Sequence, residues 1–223
     1  MPVIAMASEL GTSGTEVASR VATRLSIELV DHNTLLKRVE ERGYSIHSLL
    51  LDNASSRLET LVYNCETAAI GKQIASELQG LAQQGDVLIH SFIAPYILAN
   101  VDYVPLVLVC ASRTKRLKRI LADQDSADTM AAVGMLKHHT TWRDKVLSSY
   151  FGIAPNHRAL KYDLVADVGW LSCAEWTEEI VDLARDDEFA PDQFSLSKLN
   201  SPNATLKHPD SYVPPRQNCC GEL

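Results

Sequence analysis

The run from Val104 to Cys110 is apolar without alternation, and it is the most apolar stretch of the chain. A strand with one wet face alternates in polarity at every second residue, so a continuous run implies burial on both faces. Such strands sit inside parallel sheets whose two faces are covered by helices. Val104 to Cys110 is therefore the candidate for the central strand, and the rest of the chain must supply crossovers.

It does so in order. Val3-Ile4-Ala5-Met6 is a short apolar run ended by Ser8-Glu9-Leu10-Gly11, and from Thr15 to Ser26 the residues Val17, Val21, Ala22 and Leu25 recur at helical spacing. Ile27 to Val30 leads to Asp31, after which Leu35, Leu36 and Val39 mark a helix that stops near Gly43. Residues from about Ala54 to Leu81 read as one long amphipathic helix, ended by Gly85-Asp86 before a strand Val87 to His90. A basic stretch from Ser112 to Ala122, a helix from about Ala127 to Tyr150, a strand Tyr162 to Ala166 and a helix through Leu183 and Ala184 follow Cys110. Strands alternating with helices predict an α/β fold with a parallel sheet.

The 223 residues suit one domain, expected over residues 1–186. Beyond Asp186 the chain is rich in Pro, Ser and Asn with few large apolar groups, which predicts a mostly disordered tail over 187–223, open to a protein partner. The formal charge of −7 argues against a nucleic-acid surface. No stretch is long enough to span a bilayer, and the N-terminus lacks the basic region of a secretory signal. The five cysteines, with Cys219 and Cys220 adjacent, show neither metal-ligand spacing nor disulfide density, which fits a cytoplasmic protein. His138 and His139 are adjacent on a predicted helix and point about 100° apart, so with His157 they make no metal site. Cys220-Gly221-Glu222-Leu223 has prenylation spacing but a polar Glu222, and Asn203-Ala204-Thr205 is a glycosylation sequon only in a secreted chain.

The chemistry is concentrated where the first strand turns through glycines into a helix. Backbone N–H groups and the helix dipole converge there and favour an anion, usually phosphate. The full phosphate-loop motif also needs a Lys beside a Ser or Thr. In that register Gly14 takes the lysine position and Thr15 the hydroxyl position. The same residues fit a second reading, because Ser13-Gly14-Thr15-Glu16 has the pattern of a capping box in which Ser13 caps the helix and Glu16 reaches back. Asp31 likewise stands where α/β ligands bind and where a residue would cap the next helix.

With these residues on the page, the chain resembles the cytidylate-kinase-like family of P-loop proteins. The resemblance runs from Ile4 through Gly11-Thr12-Ser13-Gly14-Thr15 to Ala18, then through Asp31, Leu88 to Leu98, Val104 to Cys110, Arg116-Leu117-Lys118-Arg119, Arg143 and Tyr162 to Val165. It implies a three-layer P-loop NTPase-type parallel sheet of about five strands with a helical lid near 126–160. It also implies an ATP-dependent phosphotransferase acting with Mg²⁺ on CMP, dCMP or a similar nucleoside monophosphate. Gly11, Thr12, Ser13, Gly14 and Thr15 would hold ATP phosphates. Asp31 would border the acceptor, and Arg116, Arg119 and Arg143 would stabilise the transferring oxygens.

Four positions depart from that pattern. Ser8 stands where family members usually carry Arg, Thr15 where they carry a basic residue, Phe92 in place of a phosphate-binding Arg, and Thr140 in place of Asp. A charge-assisted contact to phosphate contributes about 1.5 to 3 kcal/mol, so losing several slows transfer by orders of magnitude. A nucleotide kinase and a non-catalytic regulatory or protein-binding module on the same fold are therefore the two expectations.

Overall fold

The computed structural model describes residues 2–44, 46, 65–123, 128–153 and 160–191. Its centre is a five-stranded, wholly parallel sheet in the order β2-β3-β1-β4-β5. The strands are β1 (Val3–Ser8), β2 (Glu28–Asp31), β3 (Val87–His90), β4 (Leu106–Cys110) and β5 (Leu164–Asp167). The helices among the described residues are α1 (Gly14–Leu25), α2 (His32–Glu40), α3 (Cys65–Gln84), α4 (Ala94–Leu98), α5 (Arg113–Asp123), α6 (Thr129–Phe151) and α7 (Cys173–Leu183), with a 3₁₀ turn at Asp187–Phe189.

Two apolar clusters form the core, one on each face of the sheet. On one face Val3, Ala5, Val30, Val87, Ile89 and Leu106 pack under α2, α3, α4 and α6 through Leu35, Ile74, Leu78, Leu98, Trp142 and Val146. On the other, Ile4, Met6, Leu88, Val107, Val109 and Ala166 pack under α1 and α7 through Val17, Val21, Ile180 and Val181. A small third cluster of Ile120, Ala132 and Leu136 joins α5 to α6. This is the three-layer P-loop arrangement that the resemblance implies.

Two sequence expectations shift, and a third lies partly outside the described residues. Val104 to Cys110 supplies β4, which is interior, yet the middle of the sheet is β1, because β5 is added outside β4 and only two strands lie on the other side. The long helix is described from Cys65 onward, while Ala54 to Asn64 lies outside the described residues. The last strand begins at Leu164 rather than Tyr162, since the Asp163 carboxylate turns to accept from the Leu106 backbone N–H at 2.7 Å. Of the tail, residues 192–223 lie outside the described residues, as do residues 126–127 and 154–159 of the expected lid, His157 among them. Among the described residues no helix is long and apolar enough to cross a membrane.

Because all strands are parallel, their carboxyl ends share one edge, and those ends are Ser8, Asp31, His90, Cys110 and Asp167. The chain leaves β1 towards β2 on one side and leaves β3 towards β4 on the other. That reversal puts the switch point, where ligands bind in open α/β sheets, at the ends of β1 and β3.

Candidate functional site

The loop between β1 and α1 is closed by its own hydrogen bonds. Glu9 donates its N–H to the Val109 carbonyl at 3.0 Å, which ties the loop to β4. The Thr12 hydroxyl donates to the Glu9 carbonyl at 2.7 Å and accepts from the Gly14 N–H at 3.3 Å. Gly11 has φ +80°, and a Cβ there would lie 2.7 Å from the Arg116 carbonyl, so glycine permits both the turn and the approach of α5. Ser13 and Gly14 are buried, whereas Thr15 and Glu16 are exposed in the first turn of α1.

The capping box expected at Ser13 is not formed. Ser13 precedes α1 but makes no side-chain cap bond. Its hydroxyl instead accepts from the Arg119 guanidinium of α5. Glu16 turns along the helix to pair with Arg20 at 3.0 Å, so its charge is directed away from the loop. Arg116 also reaches the loop, its Nε 3.4 Å from a Glu9 carboxylate oxygen. That nitrogen is buried without a hydrogen bond. Two guanidinium groups from α5 thus stand at a loop that carries no lysine.

Gly14 shows why no lysine can stand there in this packing. A Cβ on Gly14 would lie 2.2 Å from Ser8 Cβ, 2.4 Å from Ser8 Oγ and 3.4 Å from His90 Nε2. Ser8 Oγ and His90 Nε2 are themselves 2.9 Å apart. Burial holds the His90 imidazole below its ordinary range, against the opposing pull of Asp31, its cross-strand partner.

Asp31 caps α2, its carboxylate accepting from the Thr34 N–H at 2.7 Å. Partial burial works to raise the carboxyl, but the Thr34 bonds with nearby His90 and His32 outweigh it and leave it below the usual range. Asp31 also lies at the carboxyl edge beside the switch point, so both sequence readings of this residue fit its place.

Beside it the wall is aromatic. Phe92, at the position of the expected arginine, is buried and packs its ring 4.9 Å from His32 and 5.0 Å from Trp142. His32 Nδ1 is 2.9 Å from Ser91 Oγ. Thr140, in place of the expected Asp, bonds back to the Leu136 carbonyl at 3.0 Å. Arg143 keeps a buried Nε without a hydrogen bond and lies in the electrostatic range of Tyr96, Tyr162 and His139. Burial, with Arg143, Arg116 and His138, pushes His139 down to about 4.

The structure thus brings Arg116 and Arg119 onto the loop of Gly11 to Thr15 and sets Arg143 further along α6, with Arg116 and Arg143 sharing the surroundings of His139. Sequence reasoning missed His90, His32 and Trp142. The available signal was a histidine closing an otherwise apolar strand at β3. Among the described residues no three His, Cys, Asp or Glu side chains cluster to hold a metal.

The model of the cytidylate kinase-like family matches residues 3–169. No curated protein matches the chain. Among solved structures, an uncharacterized protein from Eubacterium ventriosum is similar with TM-score 0.62 at 17% identity, over 82% of this chain and 97% of that one. Shikimate kinase from Bacteroides thetaiotaomicron is similar with TM-score 0.49 at 13% identity, over 82% and 97%. The YorR protein of Bacillus subtilis, solved with phosphorylated GDP, is similar with TM-score 0.49 at 13% identity, over 85% and 99%. At 17% identity the likeness to the Eubacterium ventriosum protein is one of fold.

Proposed function

We propose a function from one premise: the chain belongs to the cytidylate kinase-like family. The reading is a nucleotide-binding phosphotransferase that holds ATP phosphates at the loop Gly11 to Thr15 with arginines in place of the loop lysine. The observation that carries it is the Arg119 guanidinium bonded to Ser13 Oγ, at the N-terminus of α1. Helix N-termini and arginine forks are both suited to phosphate oxygens, and together they supply the charge that Gly14 cannot.

ATP fits this site through backbone amides of the first turn of α1 and the two α5 arginines. Bound there, it would supply the phosphoryl group. Mg²⁺ would have to arrive with the phosphates, and Thr15 offers an exposed hydroxyl to meet it. Arg143 is the remaining cation for the transferring oxygens. The finer expectation of CMP or dCMP as acceptor draws support from the family and from Asp31 at the pocket edge, but Phe92 removes one of its anion contacts.

A second reading has an observation of its own. Phe92, Trp142 and His32 fill the wall where the acceptor phosphate would be held, which favours a non-catalytic regulatory or protein-binding module with the nucleotide pocket reduced. Calorimetry with ATP and Mg²⁺ separates them. The kinase reading expects binding that Arg119→Ala weakens by roughly 10- to 100-fold, the loss of one charge-assisted contact. Absence of any binding by the wild-type protein would sink it.

A further inference from the structure

Three polar side chains cross the carboxyl edge of three neighbouring strands. Asp31 ends β2, His90 ends β3 directly opposite it, and Ser8 ends β1. Ser8 Oγ and His90 Nε2 are 2.9 Å apart, beneath the first residue of α1. The pair lies at the switch point of the sheet. In the tautomer that carries its proton on Nδ1, His90 accepts from the Ser8 hydroxyl at Nε2. An uncharged imidazole beside a carboxylate is equipped to accept a proton.

A nucleoside monophosphate does not need that equipment. Its attacking oxygen is already ionised at neutral pH and calls instead for a cation, which this site has exchanged for Phe92. A hydroxyl acceptor needs the reverse: somewhere for its proton to go, and no anion contact. The geometry points to His90 as the general base for transfer to a neutral, hydroxyl-bearing acceptor, with Ser8 as the relay and Asp31 as the counter-charge. This rests on the phosphotransferase reading above and changes its acceptor class.

The acceptor oxygen gives its proton to Ser8 Oγ as it bonds to the γ-phosphorus. The bond from that phosphorus to the bridging oxygen breaks and its electron pair leaves on ADP. Ser8 passes its own proton to His90 Nε2.

The groups facing His90 are Asp31 from β2, the Ser8 hydroxyl from β1 and the amide end of α1. Asp31 favours the charged imidazole, while burial and the positive end of the helix dipole disfavour it. The base is therefore available at neutral pH and is lost only when acid protonates it, below the ordinary histidine range near 6.5.

Water is the simplest hydroxyl acceptor, so the probe is hydrolysis of ATP with Mg²⁺ by the full chain, with calorimetry on the same samples. His90→Gln keeps a partner for Ser8 but cannot take the proton. It is expected to lower hydrolysis by at least about 100-fold, the lower range for a general base, to leave ATP affinity within about twofold, and to abolish the acid limb of the pH–rate profile. Asp31→Asn, which still caps α2, is expected to keep the limb but move it to lower pH. Hydrolysis by His90→Gln at the wild-type rate, or ATP binding with transfer to CMP and none to water, would overturn the assignment. Failure to bind ATP at all would overturn the phosphotransferase reading with it, and calorimetry distinguishes that failure from the loss of a base alone.

Discussion

The loop side and the acceptor side of the sheet edge have both lost a cation that the family resemblance leads one to expect, and they have answered differently. At the loop, Ser8 and Thr15 stand where basic residues are expected, but Arg119 and Arg116 arrive from α5 and bring guanidinium groups to the loop. Across β3, the space of an arginine is taken by Phe92, and the neighbours that meet it are His32 and Trp142. One side replaces charge from another helix. The other replaces charge with packing. Two losses of the same kind therefore need not have the same consequence: the first still leaves guanidinium groups beside the loop, while the second leaves an aromatic wall.

That contrast can be broken most forcefully at Trp142, which is 1% exposed. Trp142→Ala should lower stability by about 3 to 5 kcal/mol, through lost burial and the cavity it leaves. ATP affinity measured below the new melting temperature should change little. A large affinity loss from Trp142→Ala, greater than that from Arg119→Ala, would show that the two sides are one site. At the loop, Gly14→Lys should destabilise by about 3 kcal/mol in chemical denaturation, because its Cβ has no room beside Ser8. Adding Ser8→Gly should recover part of that loss and tighten ATP binding. If Gly14→Lys alone is stable, the side chains beneath α1 are not what excludes a lysine.

His139 sharpens the comparison by pH. Its folded-state value, pushed down to about 4, lies below the ordinary unfolded value near 6.5, so the folded protein resists the proton that the unfolded chain accepts. Stability on this account is complete above pH 6.5 and falls as pH drops towards 4, by on the order of 2 kcal/mol. Urea midpoints across that window should fall for the wild type and fall less for His139→Gln, with His90 supplying part of the remaining slope. Lowering the pH leaves the Arg119 guanidinium charged, so the loop keeps its cation while the aromatic side loosens.

The order of strands and helices was legible because apolar period reports burial, and burial is set locally by the layer a segment joins. The rank of the strands was less so. Val104 to Cys110 reads as central since an interior strand flanked by β1 and β5 is as dry as the middle one. Side-chain pairings across the sheet left no periodic trace. Ser8 stood out as a departure and His90 was passed over, since 82 residues separate them and only the pairing of β1 with β3 makes them partners. The loop residues were legible as a group, but the fate of Ser13 was not: its local pattern predicts a helix cap, and a guanidinium from α5 claims the hydroxyl instead.

The close contact beneath Gly14 also interlocks two positions. A lysine cannot enter at Gly14 by one substitution without a clash at Ser8, and removing Ser8 first gives up its partnership with His90. Each single step carries its own cost, so the two positions are coupled. A lysine-dependent loop lies at least two coordinated changes away.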